Sequence, residues 1–308
     1  MAHKLGIDLG GTKTEVLVLD PAGHSLYRQR VDTPADSYDA ILDLIVEQVR
    51  QAEAKLGLST TVGIGIPGAI SPRSGLLRNS NTVCMNGRPL RADLESRLAR
   101  EIRIENDANC FALSEALGGA ASEFPVVFGV IIGTGTGGGL VVDGKLVNGP
   151  HAISGEWGHN PLPWQRSIDG SPECYCGKKA CIETFLSGPG LAANFLRRFG
   201  ETRSSRDIVA GAATGDDACV AMLELYHDQM ARALAHLINI LDPHAIVLGG
   251  GMSNIDSIYN EIPQRLGDYV FSDYVATPIL QAEHGDASGV YGAALLWDQP
   301  AHPGARKL

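Results

Sequence analysis

A chain of 308 residues is longer than a single core usually grows, so two lobes or one large α/β unit are expected. Its 44% apolar and 19% charged content is ordinary for a globular protein, and no apolar run reaches bilayer length, which argues against a membrane partner. The formal net charge of −10 has no concentrated basic face, so nucleic acid is not an expected partner, and the absence of an n-region and h-region near Met1 points to the cytoplasm.

Leu5 to Leu9 and Glu15 to Leu19 read as strands flanking Gly10-Gly11-Thr12-Lys13, a hairpin with a polar tip. Tyr38, Ile41, Leu42, Ile45, Val49, Ala52 and Leu56 recur at helical spacing between Pro34-Ala35-Asp36-Ser37 and Gly57, which predicts a helix with recognisable ends. A strand over Val62 to Ile66 closes at Pro67-Gly68. Leu90 to Arg100 reads as helix, Ile102 to Glu105 as strand, and a further helix opens near Asn106 and Asp107. Val126 to Ile132, the loop Gly133-Thr134-Gly135-Thr136-Gly137-Gly138-Gly139 and Leu140 to Val142 echo the first hairpin, which suggests two related lobes facing each other. A Cys-rich loop, a long helix across about Asp216 to Leu241, a strand over Ala245 to Leu248 ending in Gly249-Gly250-Gly251, and a last helix from about Ser288 to Trp297 complete the chain. The tail after Gln299 has two prolines and no periodicity and is expected to be loose.

Glycine-rich turns at strand ends bring several N–H groups close to an anion, so both hairpin tips and the Gly249-Gly250-Gly251 turn are candidate phosphate cradles, although such turns also serve simply to join strands. Neither a Walker A pattern nor a GxGxxG opening a helix is present. Among six cysteines, Cys174, Cys176 and Cys181 cluster and read as metal ligands before disulfide partners; with His159 they supply the three thiolates and one imidazole of a closed tetrahedral Zn²⁺ site. Four ligands leave no open position, so the zinc would be structural. Cys84, Cys110 and Cys219 read as small core hydrophobes. Asp107, in Glu105-Asn106-Asp107-Ala108-Asn109 between strand and helix, is either a helix cap or a carboxylate presented to a cleft.

Asp8-Leu9-Gly10-Gly11-Thr12-Lys13, Gly133-Thr134-Gly135 and Gly249-Gly250-Gly251 resemble the ATP site of the superfamily of sugar kinases, actin and heat-shock chaperones. With Gly155-Glu156-Trp157-Gly158-His159 and Cys174-x-Cys176-Gly177-x-x-x-Cys181-x-Glu183 added, the chain resembles the ROK family of sugar kinases and repressors from Gly6 to Trp297. The resemblance implies a two-lobed, actin-like (ribonuclease H-like) α/β fold: a lobe over 1–115 completed by a helix at about 288–298, a second over 116–287 carrying the zinc loop 159–181, and a loose tail over 299–308.

It also implies ATP, Mg²⁺ and structural Zn²⁺ as cofactors, with Asp8 reaching the Mg²⁺ and Asp107 taking a proton from the sugar. Asn106, Glu156, His159 and Glu183 would bind the sugar beside the Gly68 backbone, His159 using one ring nitrogen for zinc and the other for a sugar hydroxyl. Ala180 departs from the glycine frequent in the family at that position but removes no ligand. A homodimer is the family expectation. The segments around Glu156 to Trp164 and Cys174 to Phe185 resemble the fructokinase and mannokinase branch most, so fructose to fructose 6-phosphate is the expected reaction, with mannose or glucose also accepted and N-acetylglucosamine kinase or glucokinase as alternatives. An ATPase or a sugar-sensing regulator is the alternative of another class; the first hairpin begins by Gly6 and leaves no room before it for a helix-turn-helix.

Overall fold

The computed structural model describes residues 2–300. Strands β1 (His3–Leu9), β2 (Lys13–Leu19) and β3 (Ser25–Asp32) precede helix α1 (Tyr38–Leu56). They are followed by β4 (Thr60–Ile66), the small pair β5 (Ala69–Ile70) and β6 (Leu77–Arg78), α2 (Leu90–Leu98), β7 (Ile102–Asn106) and α3 (Asp107–Gly118). The second half holds β8 (Val126–Ile132), β9 (Thr136–Val142), β10 (Lys145–Leu146) and a long irregular stretch. After it come α4 (Glu183–Leu186), α5 (Gly188–Phe199), α6 (Ser205–Ala213), α7 (Asp217–Leu241), β11 (Ala245–Gly249), α8 (Ser257–Leu266), β12 (Ile279–Gln281) and α9 (Ser288–Leu295).

Helix α1 illustrates how local sequence sets its element. The Ser37 hydroxyl accepts from the Ala40 N–H, and Gly57 at φ 66° donates its N–H to Glu53 O, closing the last turn in a conformation that a side chain would strain. Ile41, Leu42, Ile45 and Val49 lie on one buried face, each contributing roughly 1.5–3 kcal/mol through removal from water.

Two five-stranded sheets form, ordered β3-β2-β1-β4-β7 and β10-β9-β8-β11-β12. Their directions match strand for strand: an antiparallel hairpin (β1-β2, β8-β9), then parallel neighbours (β4 and β7; β11 and β12), with β3 and β10 antiparallel at the opposite edge. The sheets are joined by the crossing of α3 and α9. Helix α3 lies on the β8-β9 glycines, where a Cβ on Gly129 or Gly139 would approach the Ala112 Cβ to 2.7 or 2.8 Å. Helix α9 lies on β1 and β4, where a Cβ on Gly63 would fall 1.9 Å from Ala293 O. At the crossing itself a Cβ on Gly292 would sit 1.7 Å from Cys110 O, so backbone meets backbone and only glycine fits.

Two expectations are corrected. Gly137, Gly138 and Gly139, expected in a loop, belong to strand β9, because bare backbone is needed where α3, Phe128 and Gly155 press against it. Gln299, expected at the start of a loose tail, is tied down: its side chain accepts from Leu146 N–H at 2.9 Å and donates to Gly144 O at 3.0 Å, and its carbonyl accepts from Arg103 at 2.6 Å. The rest of that tail, 301–308, lies outside the described residues.

Candidate active site

Strands β1, β4 and β7 run parallel and finish side by side, and chemistry gathers at their carboxyl ends, as is usual for open α/β sheets. Asp8 lies one residue before the end of β1, Gly68 follows β4, and Asn106 leads from β7 into α3. Asn106 and Asp107 divide the two roles open to such a pair. Asn106 is the cap: its Oδ1 accepts from Ala108 N–H at 2.9 Å and Asn109 N–H at 3.3 Å, while its Nδ2 donates to Gly68 O at 3.1 Å. Asp107 is the first helical residue, with Oδ1 accepting from Ala108 N–H at 2.8 Å. Gly68 holds φ 87°, and a Cβ there would strike Arg78 O at 2.4 Å, so glycine is required on both counts.

Behind this cap stands a polar support. Glu105 accepts from Asn106 N–H at 2.9 Å, from Asn109 Nδ2 at 3.1 Å and from Asn148 Nδ2 at 2.6 Å. Burial pushes the Asp107 carboxyl up to about 6; the Ala108 N–H opposes the rise and the Glu156 carboxylate adds to it. Asp8 is pushed up to about 7, first by burial, then by the negative charges of Asp107 and Glu15, against the pull of Arg30. The two carboxyls are therefore close enough for the charge of Asp107 to act on Asp8. Gly289 of α9 admits Asp8, since a Cβ there would lie 2.7 Å from Asp8 Oδ2.

The glycine turns occupy the matching ends of both sheets. Gly10 N–H donates to Lys13 O at 3.0 Å, holding a tip on which Gly11 and Thr12 are exposed and Lys13 pairs with the Asp32 carboxylate. In the second sheet, Gly133 N–H donates to Gly135 O at 2.9 Å after β8, and Gly249-Gly250-Gly251 ends β11, with Gly250 at φ 82° against Ile132 O. Thr134 lies within the first of these turns. Sequence reasoning missed a neighbour: Gly188, at the start of α5, donates its N–H to Gly133 O at 2.9 Å and adjoins Met252. The signal was present in Ser187-Gly188-Pro189-Gly190, a capping serine before a helix-starting proline.

Glu156 and His159 sit on a segment laid over β9. Gly155 and Gly158 approach the backbone of Gly138 and Thr136 so closely that a Cβ would fall within 2.2 and 2.1 Å of their carbonyls, and buried Trp157 donates Nε1–H to Gly137 O at 2.9 Å. Glu183, first residue of α4, accepts the Thr136 N–H at 2.9 Å, linking its carboxylate to the glycine hairpin.

The side chains of His159, Cys174, Cys176 and Cys181 bring one nitrogen and three sulfurs within 4.8 Å of one another. His159 Nδ1 faces Cys174 Sγ at 3.6 Å, and Cys176 Sγ faces Cys181 Sγ at 3.6 Å. Bonds of about 2.3 Å from a tetrahedral ion to sulfur require neighbouring sulfurs slightly under 4 Å apart, so the donor set fits Zn²⁺ in identity and spacing. Burial and the adjacent thiols push the Cys181 thiol up to about 12, so metal entry would release protons. The loop is fastened to α7 by fully buried Arg232 and Asp169. Arg232 donates to Asp169 at 2.9 and 3.0 Å and to the carbonyls of Pro163 and Trp164 at 3.1 and 3.0 Å, while Asp169 also accepts from Arg166 N–H and Gln229. Tyr175 is a second residue that sequence reasoning passed over. Its hydroxyl lies 3.0 Å from His159 Nε2, the ring nitrogen expected to face a sugar; the ring is largely exposed, but partial desolvation at the hydroxyl, then Glu183, Cys174 and Glu156, push the phenol up to about 12.

The ROK family model matches residues 4–300. The chain belongs to the ROK family. It is 39% identical over 94% of its length, and 98% of the relative's, to the N-acetyl-D-glucosamine kinase of Vibrio parahaemolyticus. Its fold is similar to the ROK hexokinase of Thermus thermophilus (TM-score 0.86, 29% identity, 95% of this chain and 97% of that one). A ROK glucokinase from Streptomyces griseus in complex with glucose and AMPPNP is also similar (TM-score 0.76, 26% identity, 96% and 98%). The ROK sugar-kinase fold expected from the motifs is thus shown. The fructokinase branch is not supported: the relative's name matches the N-acetylglucosamine alternative instead, because the ligand-holding motifs are common to the family while hexose preference rests on pocket shape.

Proposed function

We propose that this ROK protein transfers the γ-phosphoryl group of ATP to a hydroxyl of N-acetyl-D-glucosamine. The observation that supports the kinase reading is at the strand ends: Asp107, next to the Asn106–Gly68 clasp, feels the charge of Glu156, and glycine turns end strands in both sheets. The choice of sugar rests on the relative that is 39% identical over 94% of this chain.

Phosphoryl transfer asks the protein chiefly for position and charge. Asp107 accepts the proton of the attacking hydroxyl as the new O–P bond forms and the bond to the bridging oxygen of ADP breaks. With its carboxyl pushed up to about 6, it is mostly ionised near neutrality yet basic enough to take that proton. Asn106, Glu156, His159 and Glu183 orient the sugar beside Gly68. The glycine turns Gly10–Lys13, Gly133–Gly135 and Gly249–Gly251 would receive the phosphates, and Asp8 would be the carboxylate that holds, directly or through water, the magnesium that accompanies ATP. Zinc, held by His159, Cys174, Cys176 and Cys181, supplies a fixed crosslink for a loop that has little regular structure of its own.

An ATP-dependent assay over N-acetylglucosamine, fructose, mannose, glucose and N-acetylmannosamine, with a sugar-free control, tests both layers. Highest kcat/KM on N-acetylglucosamine supports the full reading. Preference for fructose restores the branch expected from the sequence, and ATP hydrolysis independent of sugar defeats the kinase assignment. Metal analysis of protein purified without chelator is expected to find one zinc per chain; none would remove the zinc loop from the account.

A further inference from the structure

The loop between Glu173 and Lys179 contains no helix or strand; it turns through backbone bonds from Cys174 N–H to Lys178 O at 2.8 Å and from Gly177 N–H to Cys174 O at 3.0 Å. Tyr175 stands between two of the cysteine ligands, so whatever fixes Cys174 and Cys176 also fixes where Tyr175 starts. Its ring meets the His159 imidazole edge-on, with centroids 5.2 Å apart and planes at 87°, and its hydroxyl is 3.0 Å from Nε2. Nδ1 of the same imidazole is turned to Cys174 Sγ, which leaves Nε2 as the nitrogen available to a ligand. Glu156 and Glu183 lie near enough to act on the phenol electrostatically. Yet Tyr175 is 83% exposed, so little packing holds it in place.

Resting on the sugar-kinase reading, we propose that the Tyr175 hydroxyl is a displaceable stand-in for a sugar hydroxyl at His159 Nε2. In the empty site it accepts the Nε2–H that a sugar hydroxyl accepts in the filled one. The exchange conserves the hydrogen bond of His159, and the exposed ring moves aside at small cost. Because the protein must release the phenol before the sugar can take its place, Tyr175 lowers apparent sugar affinity by the fraction of molecules in which the site is already taken.

Tyr175→Phe keeps the ring and removes the competitor. One neutral hydrogen bond of ordinary strength predicts that the N-acetylglucosamine Kd, read by calorimetry on the full chain, falls about 2- to 10-fold, and that KM falls with it while kcat stays within about 2-fold. A Kd that is unchanged, or higher, overturns the proposal, since the phenol would then be idle or would itself bind the sugar. In the unmutated protein labelled with 3-fluorotyrosine, the fluorine resonance absent from the spectrum of Tyr175→Phe is expected to move toward its solvent position as sugar is added; a resonance that stays still also overturns it. Unmutated protein that binds none of the five hexoses would sink the sugar-kinase reading and this proposal together, whereas hexose binding with no gain in Tyr175→Phe sinks this proposal alone.

Discussion

The two sheets have the same strand order and directions, but the ends of their parallel strands carry different chemistry. In the first, beside the Gly10–Lys13 turn, polar side chains gather at the ends: Asp8 one residue before the end of β1, the Asn106–Gly68 clasp, and Asp107 at the start of α3. In the second, the equivalent ends are glycine-rich turns that carry no carboxylate, Gly133-Thr134-Gly135 and Gly249–Gly251. The side chains on that side of the cleft come instead from the irregular stretch laid over β9, which supplies Glu156 and His159, and from Glu183. A repeated topology thus provides two equivalent rims, and the residues attached to each differ: carboxylates on the strand ends of the first, glycine-rich turns on those of the second.

The sharpest test of this contrast is Asp107→Asn, which keeps the shape of the first rim and removes its proposed base. Loss of a general base predicts a fall in kcat of about 10²- to 10⁴-fold. Sugar Kd, measured by calorimetry, is expected to change little, and substantial retained turnover would move the base elsewhere. On the opposite side, Arg232→Ala leaves Asp169 buried without its cation. Breaking such a pair typically costs about 3–5 kcal/mol, so denaturant unfolding at constant m should show a much lower midpoint. A shift near zero would mean that the Cys-rich stretch is not fastened through this pair.

The pH dependence sharpens the contrast because the raised carboxyls belong to the first rim. The kcat/KM is expected to fall as pH drops below about 6, where Asp107 of the free enzyme takes up its proton. Stability of the ligand-free protein should respond in the opposite sense. The folded carboxyl at about 6 lies above its ordinary 3.8, so between those values the folded state binds more protons than the unfolded one, and stability from this group rises as pH falls through that window. Comparing Tm against pH for the native chain and Asp107→Asn isolates the contribution, which the variant lacks; identical slopes would refute it. The smallest effect is expected from Lys13→Ala at the tip of the first hairpin. The exposed pair with Asp32 contributes little to stability, so Tm should hold while the KM for ATP rises; an unchanged KM would show that this cation does not meet phosphate.

Much of the framework was legible because local rules were obeyed. Ser37 and Gly57 bound α1, and strand-like runs on either side of the glycine-rich turns marked the hairpins. The cysteine cluster with His159 was legible from ligand chemistry alone, and the donors do converge. Less was legible where meaning depends on a distant partner. Gly137–Gly139 read as loop because nothing local says that α3 and Gly155 will press on a strand there. Gln299 looked like the first residue of a tail until Gly144, Leu146 and Arg103 closed around it. Tyr175 carries no motif of its own, and its position against His159 exists only once the loop has folded back.

By itself the sequence determined the family, the residue types able to move a proton, cradle phosphate or hold zinc, and the elements with locally marked ends such as α1, since each depends on side-chain chemistry and short spacings; β3, α5, α6, α8 and β12 went unread. Only the tertiary structure decided that Asn106 is the cap residue and Asp107 the first residue of α3, that Glu183 is tied to the second hairpin, and that Arg232 fastens the Cys-rich stretch. Those outcomes follow from close packing: where backbones approach within the reach of a single Cβ, as at Gly292 and Gly158, the neighbours that meet are chosen by the whole fold rather than by the residues beside them in the chain.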